Sequence, residues 1–74
     1  MFLAENYTIE IRYGDFGVDG DSDFCFRASV KEFDNLEEYG ITAKGAYGLI
    51  IDSITETMMH LSENDKEIPN PLPY

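Results

Sequence analysis

Seventy-four residues with 43% hydrophobic side chains, five Phe and five Tyr among them, suffice for one folded domain and are too apolar for a disordered chain. Fifteen acidic against five basic residues give a formal net charge of −10, which repels phosphate backbones and argues against direct nucleic-acid binding. A single cysteine excludes an intrachain disulfide and fits a reducing cytoplasmic setting, and no stretch reads as a leader or as long enough to span a membrane.

A domain this small buries only about 60% of the surface its unfolded form exposes, so its stability is expected at roughly 4 to 11 kcal/mol. The elements follow in chain order. Residues 7–13 alternate strictly, with Tyr7, Ile9, Ile11 and Tyr13 on one face and Thr8, Glu10 and Arg12 on the other, which predicts a half-buried strand. Residues 14–23 hold three glycines and four aspartates and read as a loop. Alternation resumes at Phe24, Phe26, Ala28 and Val30, which predicts a second strand over 24–32. A hairpin with Tyr13 opposite Phe24 sets Ile11 against Phe26, Ile9 against Ala28 and Tyr7 against Val30, with Glu10 facing Arg27 outside. A turn at Phe33-Asp34-Asn35 and a short third strand over 36–40 complete the sheet.

Thr42 stands ahead of a run free of proline until Pro69 and is the predicted N-cap of a helix over 43–63, roughly 33 Å long. At about 100° per residue, Ala43, Ala46, Tyr47, Ile50, Ser53, Ile54, Thr57 and Leu61 share one arc, which covers the sheet. The tail 68–74 alternates three prolines, which rules out a helix and any central strand and leaves an edge segment or a linker. The expected fold is α+β, a small antiparallel sheet in the order β-β-β-α-β with one long helix packed on one face.

Few residues point to chemistry. Asp19-x-Asp21-x-Asp23 has the ligand spacing of a calcium loop, yet the sixth and twelfth positions are Phe24 and Val30 where Gly and Glu are needed. Starting at Asp15 puts Gly20 sixth but Phe26 twelfth, so a solvated hairpin loop is expected. His60 has no thiol beside it, because the strand position of Cys25 puts it on the outer sheet face. No catalytic, cofactor or metal residue is expected.

The helix offers more. Its apolar residues span about 200°, twice the stripe of roughly 100° that covering one sheet needs. Ile51, Met58 and Met59 are therefore left for another covering element, either the tail through Ile68, Leu72 and Tyr74 or another protein. Gly45 and Gly48 lie away from the predicted sheet, where close approach of a partner's backbone explains them. Gly45, Gly48, Ile51, Thr55, Met58 and Met59 are the candidate partner-binding residues.

The segment Phe26-Arg27-Ala28-Ser29-Val30-Lys31-Glu32-Phe33, followed by Tyr39-Gly40-x-Thr42-x-x-x-Ala46 and by Ile68-Pro69-x-Pro71, resembles the HicB-like antitoxins of type II toxin–antitoxin systems. The resemblance covers about residues 7–71. It implies a β-β-β-α-β domain that assembles into dimers or larger oligomers and neutralises a small basic mRNA-cleaving toxin by stoichiometric binding. Repression in that family comes from a further DNA-binding half, to which the resemblance does not extend. Two departures stand out: Gly45 replaces the family's glutamate three residues after the capping threonine, and Asp34-Asn35-Leu36 replaces a Pro-Gly turn. Without that glutamate the capping box is incomplete and a weak first helical turn is expected. The alternative is a stand-alone homodimerisation or regulatory module whose seam is the Ile51/Met58 margin.

Overall fold

The computed structural model describes residues 3–17, 22–34 and 36–72. A 3₁₀ turn, Ala4–Asn6, leads into β1 (Ile9–Asp15), β2 (Phe24–Val30) and β3 (Glu37–Gly40), and α1 (Ala43–Glu63) follows. The strands form an antiparallel sheet in the order β1-β2-β3, and α1 packs against one face of it, giving the small α+β fold expected. Residues 68–72 join no ladder, so no fourth strand forms among the described residues.

Alternation places the side chains as expected, but the hairpin register differs by two residues. Tyr13 pairs with Phe26, Ile11 with Ala28 and Ile9 with Val30, and Asp15 takes the place opposite Phe24. An even shift keeps every side chain on its face, so periodicity alone could not separate the two registers. The base of the loop decides between them. The Asp15 carboxylate accepts the amides of Asp23 at 2.9 Å and Gly17 at 3.1 Å, and Phe16 N donates to Asp23 O at 3.0 Å, carrying the ladder past the strand end.

The shift forfeits the expected Glu10–Arg27 pair and sets Arg12 opposite Arg27, an unfavourable pairing of like charges. Each cation finds another partner. Arg12 Nε donates to Glu10 Oε1 at 2.5 Å, and the Arg27 guanidinium lies 5.1 Å from the centroid of the Phe16 ring. That ring folds back across the outer face above Gly14, where an added Cβ would lie 3.5 Å from it, and meets Tyr39 edge-on.

The core sits between α1 and β2. Ala46, Ile50 and Ile54 are fully buried from the helix, as is Ala28 from the sheet, and Val30, Met58, Tyr7, Phe33 and Ala4 close around them. Phe33 was expected in a turn; the turn is there, yet its ring turns inward and packs edge-on against Tyr7 at 5.1 Å.

Both helix ends are closed. Thr42 Oγ1 accepts the amide of Gly45 at 2.9 Å, so the cap forms without the family's glutamate. At the other end Lys66 N donates to Leu61 O and Asp65 N to Ser62 O, with Asp65 at φ 54°, the left-handed turn that satisfies terminal carbonyls.

Gly40 is where strand and helix meet. A Cβ there would lie 2.6 Å from Ala46 N and 3.1 Å from Ala46 Cα, so only a residue without one lets β3 turn directly beneath the first helical turn. The spacing Gly40-x-Thr42-x-x-x-Ala46 therefore has a structural cause: a clearance, a cap and a buried small residue.

The two ends of the chain are held by Glu32. Its carboxylate accepts the Thr8 amide at 3.0 Å, the Thr8 hydroxyl at 3.1 Å and the Leu72 amide at 2.8 Å, while the Tyr7 hydroxyl donates to Pro69 O at 2.7 Å. Burial raises the Glu32 pKa, but hydrogen bonds from the amides of Leu72, Thr8 and Glu32 itself and from the Thr8 hydroxyl together outweigh it and hold the carboxyl below its ordinary value of 4.5. A depressed folded-state pKa contributes stability that is present above the unfolded value and lost as pH falls through the folded one. Wild type is thus expected to melt higher than Glu32→Gln at neutral pH, and the gap should close below about pH 4.5 in thermal melts across the acid range.

Candidate protein-binding face

The side of α1 turned from the sheet carries three shallow hollows in a row. The first is lined by Gly45, Gly48, Ile51, Tyr47 and Asp52, the second by Tyr47, Ile51, Thr55, Leu3 and Glu5. The third, about 340 Å³, lies between the 3₁₀ turn and the helix and is lined by Leu3, Ala4, Thr55, Met58, Met59, Ser62 and Glu63. All six candidate residues line this one face.

They differ in how much they offer a partner. Gly45, Gly48 and Thr55 are exposed, and Met59 is 59% exposed. Met58 is only 8% exposed and belongs to the core, and Ile51 is half-buried against it, which corrects the expectation that both await an outside cover. Among the described residues one element lies over this margin. It is the 3₁₀ turn, held by Leu3 N donating to Asn6 Oδ1 at 2.8 Å and by Asn6 N donating to Leu3 O at 2.9 Å, which lays Ala4 against the helix.

The tail takes another path, past Tyr7 and Glu32, with Ile68 packed on the core and Leu72 exposed; Tyr74 lies outside the described residues. The 3₁₀ turn was missed because three residues carry no periodicity. Its only sequence signal is Asn6, three positions after Leu3, placed to close a turn on itself.

The two glycines also separate. A Cβ at Gly45 would sit 3.0 Å from the capping hydroxyl of Thr42, so the chain's own cap explains this residue in part. A Cβ at Gly48 would meet nothing within 4 Å. In a helix interior that glycine costs about 1 kcal/mol relative to alanine, and no intrachain packing offsets it.

Each hollow has a carboxylate at its rim, Asp52, Glu5 and Glu63 in turn, and Lys44 is the one cation lining the row. With Tyr47, Leu49 and Met59 exposed among them, the face pairs apolar area with negative charge. His60 is exposed on α1, whereas Cys25 pairs with Gly14 on the outer sheet face. Burial first, then the Asp23 and Asp15 carboxylates, push the Cys25 thiol above its ordinary value and away from the reactive thiolate.

Asp15 is committed to backbone amides, chiefly those of Asp23 and Gly17, which hold its carboxyl below the usual range. Asp19, Gly20 and Asp21 of the loop expected to be a solvated hairpin connection lie outside the described residues. Among the described residues no three His, Cys, Asp or Glu side chains are grouped to hold a metal, and no helix is long and apolar enough to cross a membrane. No family model, no curated protein and no solved structure matches the chain.

Proposed function

We propose that the chain is a non-catalytic protein-binding domain of the HicB-like antitoxin kind, which neutralises a small basic mRNA-cleaving toxin by stoichiometric binding to the hollowed side of α1. The observation that carries this is Gly48, a helical glycine with open space where its side chain would be, lining the first of the apolar hollows with acidic rims. Bare backbone in that hollow lets a partner approach closely. The apolar floor supplies burial, and the chain's charge of −10 draws in a basic protein and speeds docking.

Gly48→Ala separates binding from folding. The new methyl has room, so the variant is expected to be more stable than wild type by about 1 kcal/mol in urea denaturation. Complex formation with a small basic protein encoded beside this one should weaken, and the wild-type complex should loosen as salt rises. Absence of a complex at low salt, or a complex that Gly48→Ala leaves unchanged, would contradict the proposal.

A further inference from the structure

Every interior strand of a sheet satisfies two neighbours, and β1 has one. It pairs with β2 alone, so among the described residues its other edge carries backbone groups that no ladder uses. The ladder identifies them. Lys31 N donates to Thr8 O and Phe16 N to Asp23 O, so Thr8, Glu10, Arg12, Gly14 and Phe16 direct their backbone groups toward β2. Ile9, Ile11, Tyr13 and Asp15 direct theirs outward. β3 forms the opposite edge, but it is four residues long, carries two glutamates and runs straight into α1. β1 has seven residues in unbroken register, with no proline, lysine or bulge to blunt it.

The side chains of β1 are also unfinished on the helix side. Ala28 and Val30 are buried, yet their partners Ile11 and Ile9 are only half-buried and Tyr13 is 62% exposed. The reason is position: α1 packs more over β2 and β3 than over β1.

We propose that the free edge of β1 pairs antiparallel with β1 of a second copy of this chain, about a twofold axis through Ile11. Pleat parity requires the outward-directed set to pair with itself, which leaves few registers. Centred on Ile11, that residue faces its own counterpart, Ile9 faces Tyr13 on the helix side, and Glu10 faces Arg12 on the outer side. Centring on Glu10 opposes two glutamates, centring on Arg12 opposes two arginines, and centring on Tyr13 sets Ile11 against Asp15. The Ile11 register alone sets opposite charges against each other. Glu10 and Arg12 already pair within one strand, so the two copies bring four charges of alternating sign together.

Three outward pairs exchange two bonds each, about six backbone hydrogen bonds in all, and the two sheets become one of six strands. The pairing goes beyond the toxin-binding proposal and is independent of it, since no residue lining the hollows of α1 lies on β1.

Each copy carries −10, so association is best measured at about 0.15 M salt, where repulsion beyond roughly 8 Å is screened. Light scattering of the full chain should give twice 8.4 kDa at high protein concentration. Arg12→Glu opposes carboxylates across the seam and should weaken dimerisation by about tenfold or more. The double variant Glu10→Arg with Arg12→Glu restores alternating charges and should recover the dimer. Arg12 is exposed and Glu10 half-buried on the outer face, away from the core, so circular dichroism should be unchanged in each variant.

Amide exchange supplies a readout of the register itself. The amides of Ile9, Ile11 and Tyr13 should be protected in concentrated wild type and released in Arg12→Glu, while those of Arg12 and Gly14, bonded to β2, stay protected in both. A monomer at millimolar concentration would overturn the proposal, as would a dimer indifferent to Arg12→Glu or one in which those three amides exchange freely.

Discussion

Gly40→Ala is expected to destabilise the domain by about 3 kcal/mol, measured as a fall in the urea midpoint. The added methyl would stand 2.6 Å from Ala46 N, and the obstacle is helix backbone, with no flexible side chain to move aside. Replacing glycine by alanine in a strand otherwise gains roughly 0.5 to 1 kcal/mol from the unfolded chain, too little to offset the clash. Ala46→Gly added to Gly40→Ala should not rescue stability, because the nearest contacts are the amide nitrogen and Cα of Ala46, which every residue has. An unchanged midpoint would mean that β3 and α1 do not cross at this distance.

Ile50→Ala is the second large effect, at about 2 to 5 kcal/mol by the same measurement. Ile50 is fully buried and packs with Ile54 and Ala46 from the helix and with Ala28 and Val30 from β2. In a chain whose whole stability is expected at roughly 4 to 11 kcal/mol, that loss brings the folded and unfolded states close to balance. Ile51→Ala, one position on, removes the same atoms from a half-buried site and should cost markedly less. Equal losses at both positions would mean that the helix is rotated from the orientation described here.

The candidate face was legible in part. The apolar arc and the two glycines drew attention to the side of the helix turned from the sheet, because helical position follows from spacing alone. Spacing could not show which residues on that side were already covered. Met58 is enclosed because Ala4, 54 positions away, comes back over the helix. The Gly40-x-Thr42-x-x-x-Ala46 motif carried the resemblance to HicB-like antitoxins, yet its residues are used inside the fold, as clearance, cap and buried small side chain. They explain how the helix starts and are silent on what the helix binds. The exposed residues bear on that: Gly48, Thr55 and Met59, with the carboxylates around them.

By itself the sequence determined the elements and their faces. Alternation of period two, a helical arc opened by Thr42, and prolines that exclude a final helix are all properties of neighbouring residues. The tertiary structure decided the register of the hairpin, the cover over Ile51 and Met58, and the course of the tail. These depend on groups far apart in the chain: Asp15 reaching the amide of Asp23 across a loop, Glu32 accepting from Thr8 and Leu72, and the Tyr7 hydroxyl donating to Pro69 O across 62 positions. Such contacts leave no periodic trace, because each is one polar group meeting another only after the sheet and helix have brought them together.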